Sequence, residues 1–193
     1  MKARENTSKL IVIVLSMLLM MSCLLPGMIP LTPVPTVPAP VMETNSETLI
    51  ETLQGQDWVY LQSLAQEEYT SEELDRKTPG TLTFTIKITD DTPTYFNYGW
   101  CTTTQEVLEQ NFEHITVKLY FNEEQLGNDV VHPVSFTRPD GLVCVDFGVM
   151  MSAWPNGTYT LEAVSTFNET INDGIADYAA GDYIFIYNVT VEK

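Results

Sequence analysis

From residue 81 onward the chain repeatedly alternates apolar and polar positions, the spacing that turns one face of a β-strand to a core and the other to water. Leu82, Phe84, Ile86 and Ile88 alternate with Thr81, Thr83, Thr85, Lys87 and Thr89. Ile115, Val117, Leu119 and Phe121 repeat the device against Thr116, Lys118 and Tyr120. Tyr159, Leu161, Ala163 and Phe167 do so again, entered from the turn-forming triplet Pro155, Asn156 and Gly157. In the last such segment Ile184 and Ile186 stand opposite Tyr183, Phe185, Tyr187, Val189 and Val191, the pattern of a strand covered on both faces. Shorter runs at 134–136 and 142–147 supply two more strands, and 58–64 reads equally as a strand or a short helix. Helix is predicted only as trim: Thr70 with Glu73 has the form of a capping box, and Thr103 with Glu106 caps a second turn running through Asn111.

About six strands separated by Gly, Pro, Asn and Asp turns predict a mainly β fold, an antiparallel β-sandwich carrying one or two short helices. An N-terminal apolar helix and a Pro-rich linker precede it. The predicted division is a signal or anchor segment over 1–23, a Pro-rich disordered stalk over 24–47 and the sandwich over 48–193.

The anchor rests on the first residues. Lys2, Arg4 and Lys9 precede an apolar run over 10–25 that Pro26 and Gly27 close, the layout of an export signal. Ser22 and Cys23 at the end of that run resemble the lipobox of bacterial lipoproteins, which implies Cys23 as the lipid site. An uncleaved membrane helix and a secreted product are the alternatives, the first short for a span of ~20 residues. Six of the eleven prolines fall between 26 and 40, where missing N–H groups and fixed φ favour polyproline II and a stalk.

Charge narrows the partners. The 193 residues carry a formal charge of −17, and beyond the apolar run six basic residues face 25 acidic ones. Such a balance excludes nucleic acid as a partner, since phosphates need Lys and Arg to neutralise them, and equally disfavours docking of the folded part on anionic headgroups. The membrane partner is therefore reached through the N-terminal lipid or an uncleaved helix. Three cysteines leave one over in an exported chain; with Cys23 lipidated, Cys101 and Cys144 remain as a disulfide pair, two free thiols being the alternative.

The leader ending in cysteine, the Pro/Thr/Val stalk and the late strands Trp154-Pro-Asn-Gly-Thr-Tyr-Thr-Leu and Gly181-Asp-Tyr-Ile-Phe-Ile-Tyr-Asn-Val-Thr-Val together resemble bacterial surface lipoproteins that carry an immunoglobulin-like sandwich. The resemblance implies an exported, cell-surface protein, and with no catalytic motif in the chain the expected role is binding, adhesion or envelope scaffolding without catalysis. It departs from true immunoglobulin domains at His114, where a core tryptophan is expected, and at Leu142, where a corner tyrosine is expected. The Cys101–Cys144 bond is accordingly predicted to pin a loop to the sheet.

Candidate chemistry is sparse. His114 and His132 are the two imidazoles, and neither lies in a nucleophile motif. Tyr95, Phe96, Tyr98 and Trp100 cluster in a segment that reads as irregular; the expectation is that these rings cover an open end of the sandwich or pack on the nearby disulfide, and if exposed they would stack on sugars, so a carbohydrate-binding module is the alternative function. Asp173, Asp177 and Asp182 around a loop between the last strands are a weak Ca²⁺ candidate; otherwise no cofactor or metal is expected. The partner is an envelope protein or a glycan.

Overall fold

In the computed structural model, which describes residues 38–55, 57–65 and 69–193, the alternating segments become the strands of two five-stranded sheets. β1 (Val41–Met42), β2 (Val59–Tyr60), β4 (Thr94–Thr102), β7 (His132–Thr137) and β8 (Val143–Ser152) form the first sheet. β8 lies beside β4 along one edge, while β7 and β1 share its other edge in succession. The second sheet runs β3 (Gly80–Ile88), β12 (Gly181–Val191), β9 (Gly157–Phe167), β5 (Ile115–Phe121) and β6 (Glu124–Gln125). A separate ribbon pairs β10 (Ile171–Asn172) with β11 (Asp177–Tyr178).

Period-two patterning turns into burial where one face stays wet. In β3 every apolar residue of the alternation is buried and every intervening Thr or Lys is exposed. Each fully buried side chain of this kind contributes about 1.5–3 kcal/mol relative to exposure. The two sheets share one apolar core, in which Phe96 meets Tyr187 at 5.7 Å, Tyr98 meets Phe185 at 6.1 Å and Trp100 meets Phe167 edge-on at 5.2 Å between ring centroids.

The fold is mainly β, but it is not wholly antiparallel. β12 pairs with β3 in parallel along its length, and β2 pairs with β4 in parallel. Hairpins generate antiparallel neighbours; strands brought together from distant parts of the chain are free to run the same way. β3 is an edge strand whose free side is partly closed: the Tyr69 hydroxyl donates to Thr83 O at 3.0 Å and accepts from Thr83 N at 2.9 Å.

The folded region starts ahead of the expected boundary at residue 48. Val41 and Met42 pair with Ser152 and Met151, and the Tyr159 hydroxyl donates to Pro38 O at 3.0 Å. α1 (Ser46–Gln54) follows, its first turn capped by Asn45, whose side chain accepts from Glu47 N and Thr48 N. Leu49 of α1 packs against Tyr95 and Met150, so these residues cover a sheet face that would otherwise expose both. A strand of two residues has no period to detect. The 1–23 leader with Cys23, and the Pro-rich stretch through residue 37, lie outside the described residues. Among the described residues no helix is long and apolar enough to cross a membrane.

Residues 58–64 divide between both expectations: β2 is followed by a 3-10 turn over Leu61–Leu64. The Thr70–Glu73 capping box is present at α2 (Ser71–Leu74). The second cap falls one residue later than expected, at Thr104, which accepts from Val107 N and opens α3 (Gln105–Phe112).

Candidate functional site

The four clustered rings lie on β4, a regular strand, and all four are buried. Phe96, Tyr98 and Trp100 point into the shared core, and Tyr95 packs under α1 with Leu49 and Met150. The rings therefore offer no exposed platform for sugars and pack as core: the face of β4 carrying Phe96, Tyr98 and Trp100 meets the opposite sheet, while on its other face Tyr95 is buried and Asn97, Gly99 and Cys101 are half-buried or exposed.

The disulfide between Cys101 and Cys144 is present, with sulfurs 2.05 Å apart. It does not tie a loop to the sheet. Both residues belong to strands, directly opposite each other in the β4–β8 register with Cα atoms 4.1 Å apart. The predicted helical turn next to Cys101 begins only at Gln105, beyond the end of β4.

At this end of the molecule the core opens into a cleft of about 360 Å³. Its apolar wall is aromatic: Trp100 lies 4.8 Å from Tyr178 and 5.2 Å from Phe167, and Phe167 lies 4.6 Å from Tyr183, between ring centroids. Arg76, Lys77 and Arg138 stand around it, three of the six basic residues beyond the leader. They converge although two follow α2 and the third sits on the β7–β8 turn.

Each cation is held by the fold. The Arg76 guanidinium lies 5.3 Å from the Phe185 centroid and donates through Nη2 to Gly80 O at 2.5 Å and Ile184 O at 3.2 Å. Burial pulls its pKa down from the ordinary arginine value, partly opposed by Tyr183, Tyr69 and Tyr98. Its Nε has no hydrogen-bond partner among the described residues. Lys77 Nζ reaches Asp75 and the Tyr178 hydroxyl, each at 2.6 Å. Burial works to lower the pKa of its ammonium, but these hydrogen bonds outweigh it and the net shift is upward. Arg138 pairs with Asp140 at 2.8 Å. Trp100 is 7% exposed, lines the cleft and leaves its indole N–H without a partner among the described residues.

Asp173 shapes the lip. Its Oδ1 accepts from Ile175 N at 2.7 Å and Ala176 N at 2.8 Å, and its Oδ2 accepts from the Tyr178 hydroxyl at 3.0 Å. Asp177 accepts from the Asn172 amide at 2.6 Å, and Asp182 accepts from the Thr166 hydroxyl at 2.7 Å. The three carboxylates of the Ca²⁺ candidate thus serve separate local bonds, and among the described residues no three His, Cys, Asp or Glu side chains gather to hold a metal.

Of the expected site residues, the cleft brings together Tyr98, Trp100, Cys101 and Asp173 and leaves out Tyr95, Phe96, Asp177 and Asp182. The sequence reading missed Arg76, Lys77, Arg138 and Tyr178. The available signal was scarcity: in so acidic a chain, adjacent Arg76 and Lys77 are conspicuous.

No protein-family model matches the chain, and no curated protein matches it. Among solved structures it is similar to a chain of PbICP-C in complex with falcipain-2, at 12% identity, covering 61% of this chain and 93% of that one, with a TM-score of 0.34. That likeness is too distant to bear on fold or function.

Proposed function

We propose that this is an exported, membrane-tethered binding protein of the bacterial surface, fastened through Cys23, whose immunoglobulin-like β-sandwich takes a small organic carboxylate in the cleft between Trp100 and Arg76. The role is binding without catalysis. One observation carries it: two N–H donors, Arg76 Nε and Trp100 Nε1, are withdrawn from water without a partner among the described residues and belong to residues lining the same cavity. A buried donor left unpaired costs about 1–3 kcal/mol, which an acceptor brought by a ligand would recover. Arg76, in no ion pair among the described residues, supplies positive charge beside these donors, Lys77 and Arg138 stand near it paired with Asp75 and Asp140, and the aromatic wall suits a flat apolar body.

The test is an NMR titration of the full chain in detergent with phenylacetate, using phenylacetamide as the neutral control. The Trp100 indole N–H resonance, assigned by its absence in Trp100→Phe, is expected to shift saturably with the carboxylate, and Arg138→Gln to weaken the response. Equal response to the neutral amide, or an unmoved Trp100 signal, overturns the proposal.

A further inference from the structure

The outer face of the first sheet carries a second feature, unrelated to the cleft. Gly99 stands opposite Asp146, and Gly148 stands opposite Asn97, in the β4–β8 register. A Cβ at Gly148 would lie 2.5 Å from the Tyr95 hydroxyl, and one at Gly99 would collide with the Asp146 carboxylate. The two glycines therefore leave the room in which the Tyr95 phenol and the Asp146 carboxylate settle close to the sheet. Asp146 is 7% exposed and Tyr95 1%.

Both line a groove of about 310 Å³. Trp58 and Tyr60 wall one side, and Val134 and Phe136 of β7 wall the other. The rings pack as a unit: Trp58 lies 4.8 Å from Tyr60 and 5.8 Å from Tyr95, centroid to centroid. Tyr60 is 43% exposed and Phe136 38%, so the walls reach solvent. The Trp58 indole N–H is already engaged with Leu53 O at 3.3 Å and Gly55 O at 3.2 Å.

At the groove's base, then, sit a carboxylate that makes no salt bridge among the described residues and a phenol hydroxyl without a hydrogen-bond partner. A carboxylate withdrawn from water without a counter-charge is unfavourable, and the faces of aromatic rings attract cations. An ammonium group answers both conditions. A neutral sugar would use the rings but leave the charge uncompensated. We infer that this groove binds a small alkylammonium compound, its cationic head against Asp146 and its hydrocarbon part against Trp58, Tyr60 and Phe136.

The electrostatics support this assignment. Burial pushes the Asp146 carboxyl up to about 6, against the lowering effect of its hydrogen bond with Asn97. The neighbouring titratable groups are Tyr60 on β2 and Tyr95 on β4, both raised by burial and hence neutral, and His132 on β7, opposite Gly148. α1 adds only the exposed Glu47 and Glu51. A net charge of −17 draws cations from a distance.

The test is calorimetric titration of the full chain in detergent with choline, its neutral carbon isostere 3,3-dimethylbutanol, and N-acetylglucosamine. Choline is expected to bind saturably and the isostere about tenfold or more weakly. Asp146→Asn is expected to lose choline binding while keeping its cooperative melt, and Tyr60→Ala, at an exposed position, to weaken it. Because choline's charge does not titrate, its affinity should fall as pH drops below about 6 and the free carboxylate protonates. Equal binding of the isostere, unchanged binding by Asp146→Asn, binding of the sugar in choline's place, or no choline binding each overturns the inference.

Discussion

The Tyr95 phenol occupies the space a side chain at Gly148 would need, since a Cβ there would stand 2.5 Å from its Oη. Gly148→Ala should therefore displace a ring that is 1% exposed and packed with Leu49 and Met150. The expected cost is about 1–3 kcal/mol, the usual scale of overpacking, read from the denaturant midpoint. An unchanged midpoint would mean that the ring swings aside freely.

Asp146 makes stability depend on pH in an unusual direction. Its native pKa, pushed to about 6, lies above the ordinary carboxyl value of 3.8, so between these values the folded state binds more protons than the unfolded one. Wild-type stability should accordingly fall as pH rises through this window. Asp146→Asn removes the effect and should be more stable than wild type above it, by roughly 2–3 kcal/mol, and nearly equal below it. Urea melts on both sides of the window check this; a constant difference would contradict it.

Cys101→Ser with Cys144→Ser should leave a folded protein of lower stability. The bond closes a separation of 43 residues, and releasing such a loop costs about 2–4 kcal/mol. β4 and β8 remain paired from Thr94↔Met151 to Thr102↔Val143, so the far-ultraviolet dichroism should persist while the midpoint drops. Loss of the β signal at low temperature would show the bond to be required for folding.

The two candidate caps of α3 separate cleanly. Thr104→Ala removes the acceptor for Val107 N and should cost about 1 kcal/mol. Thr103→Ala leaves that cap intact and should not reproduce a loss of amide protection at Val107. Hydrogen exchange at this amide distinguishes the two.

At the N-terminus, Cys23→Ser is expected to abolish metabolic labelling with palmitate and to change the mature mass. Equal labelling of wild type and variant would defeat the lipid assignment.

Strands with one wet face were legible. β3, β5 and β9 fall where alternation places them, because the residues between their buried apolar positions stay exposed or half-exposed, and β12, with Ile184 and Ile186 half-buried on its second face, falls where its doubly apolar pattern places it. β4 was not, since Tyr95 is covered by α1 while Phe96 and Tyr98 are covered by the opposite sheet. β8 runs on to Ser152 for the same reason, Val149, Met150 and Met151 all being buried in succession. Within the site, a buried role was legible for no single cation. Arg76 and Arg138 are 62 positions apart in the chain and line one cleft only because the segment between α2 and β3 and the β7–β8 turn both border it.

The chain alone determined the β character and the capping box at Thr70, both of which depend on residues a few positions apart. It made Cys101 and Cys144 the expected pair beside the alternative of free thiols, and the register that sets them opposite each other came from the fold. The tertiary structure decided the parallel pairing of β12 with β3, the burial of the β4 rings and the meeting of Arg76 with Trp100. It also placed Asp146 between aromatic walls. Alternation records only whether a side chain points to one face or the other; what covers that face, and which distant side chain shares it, is fixed by packing between segments that carry no mark of each other.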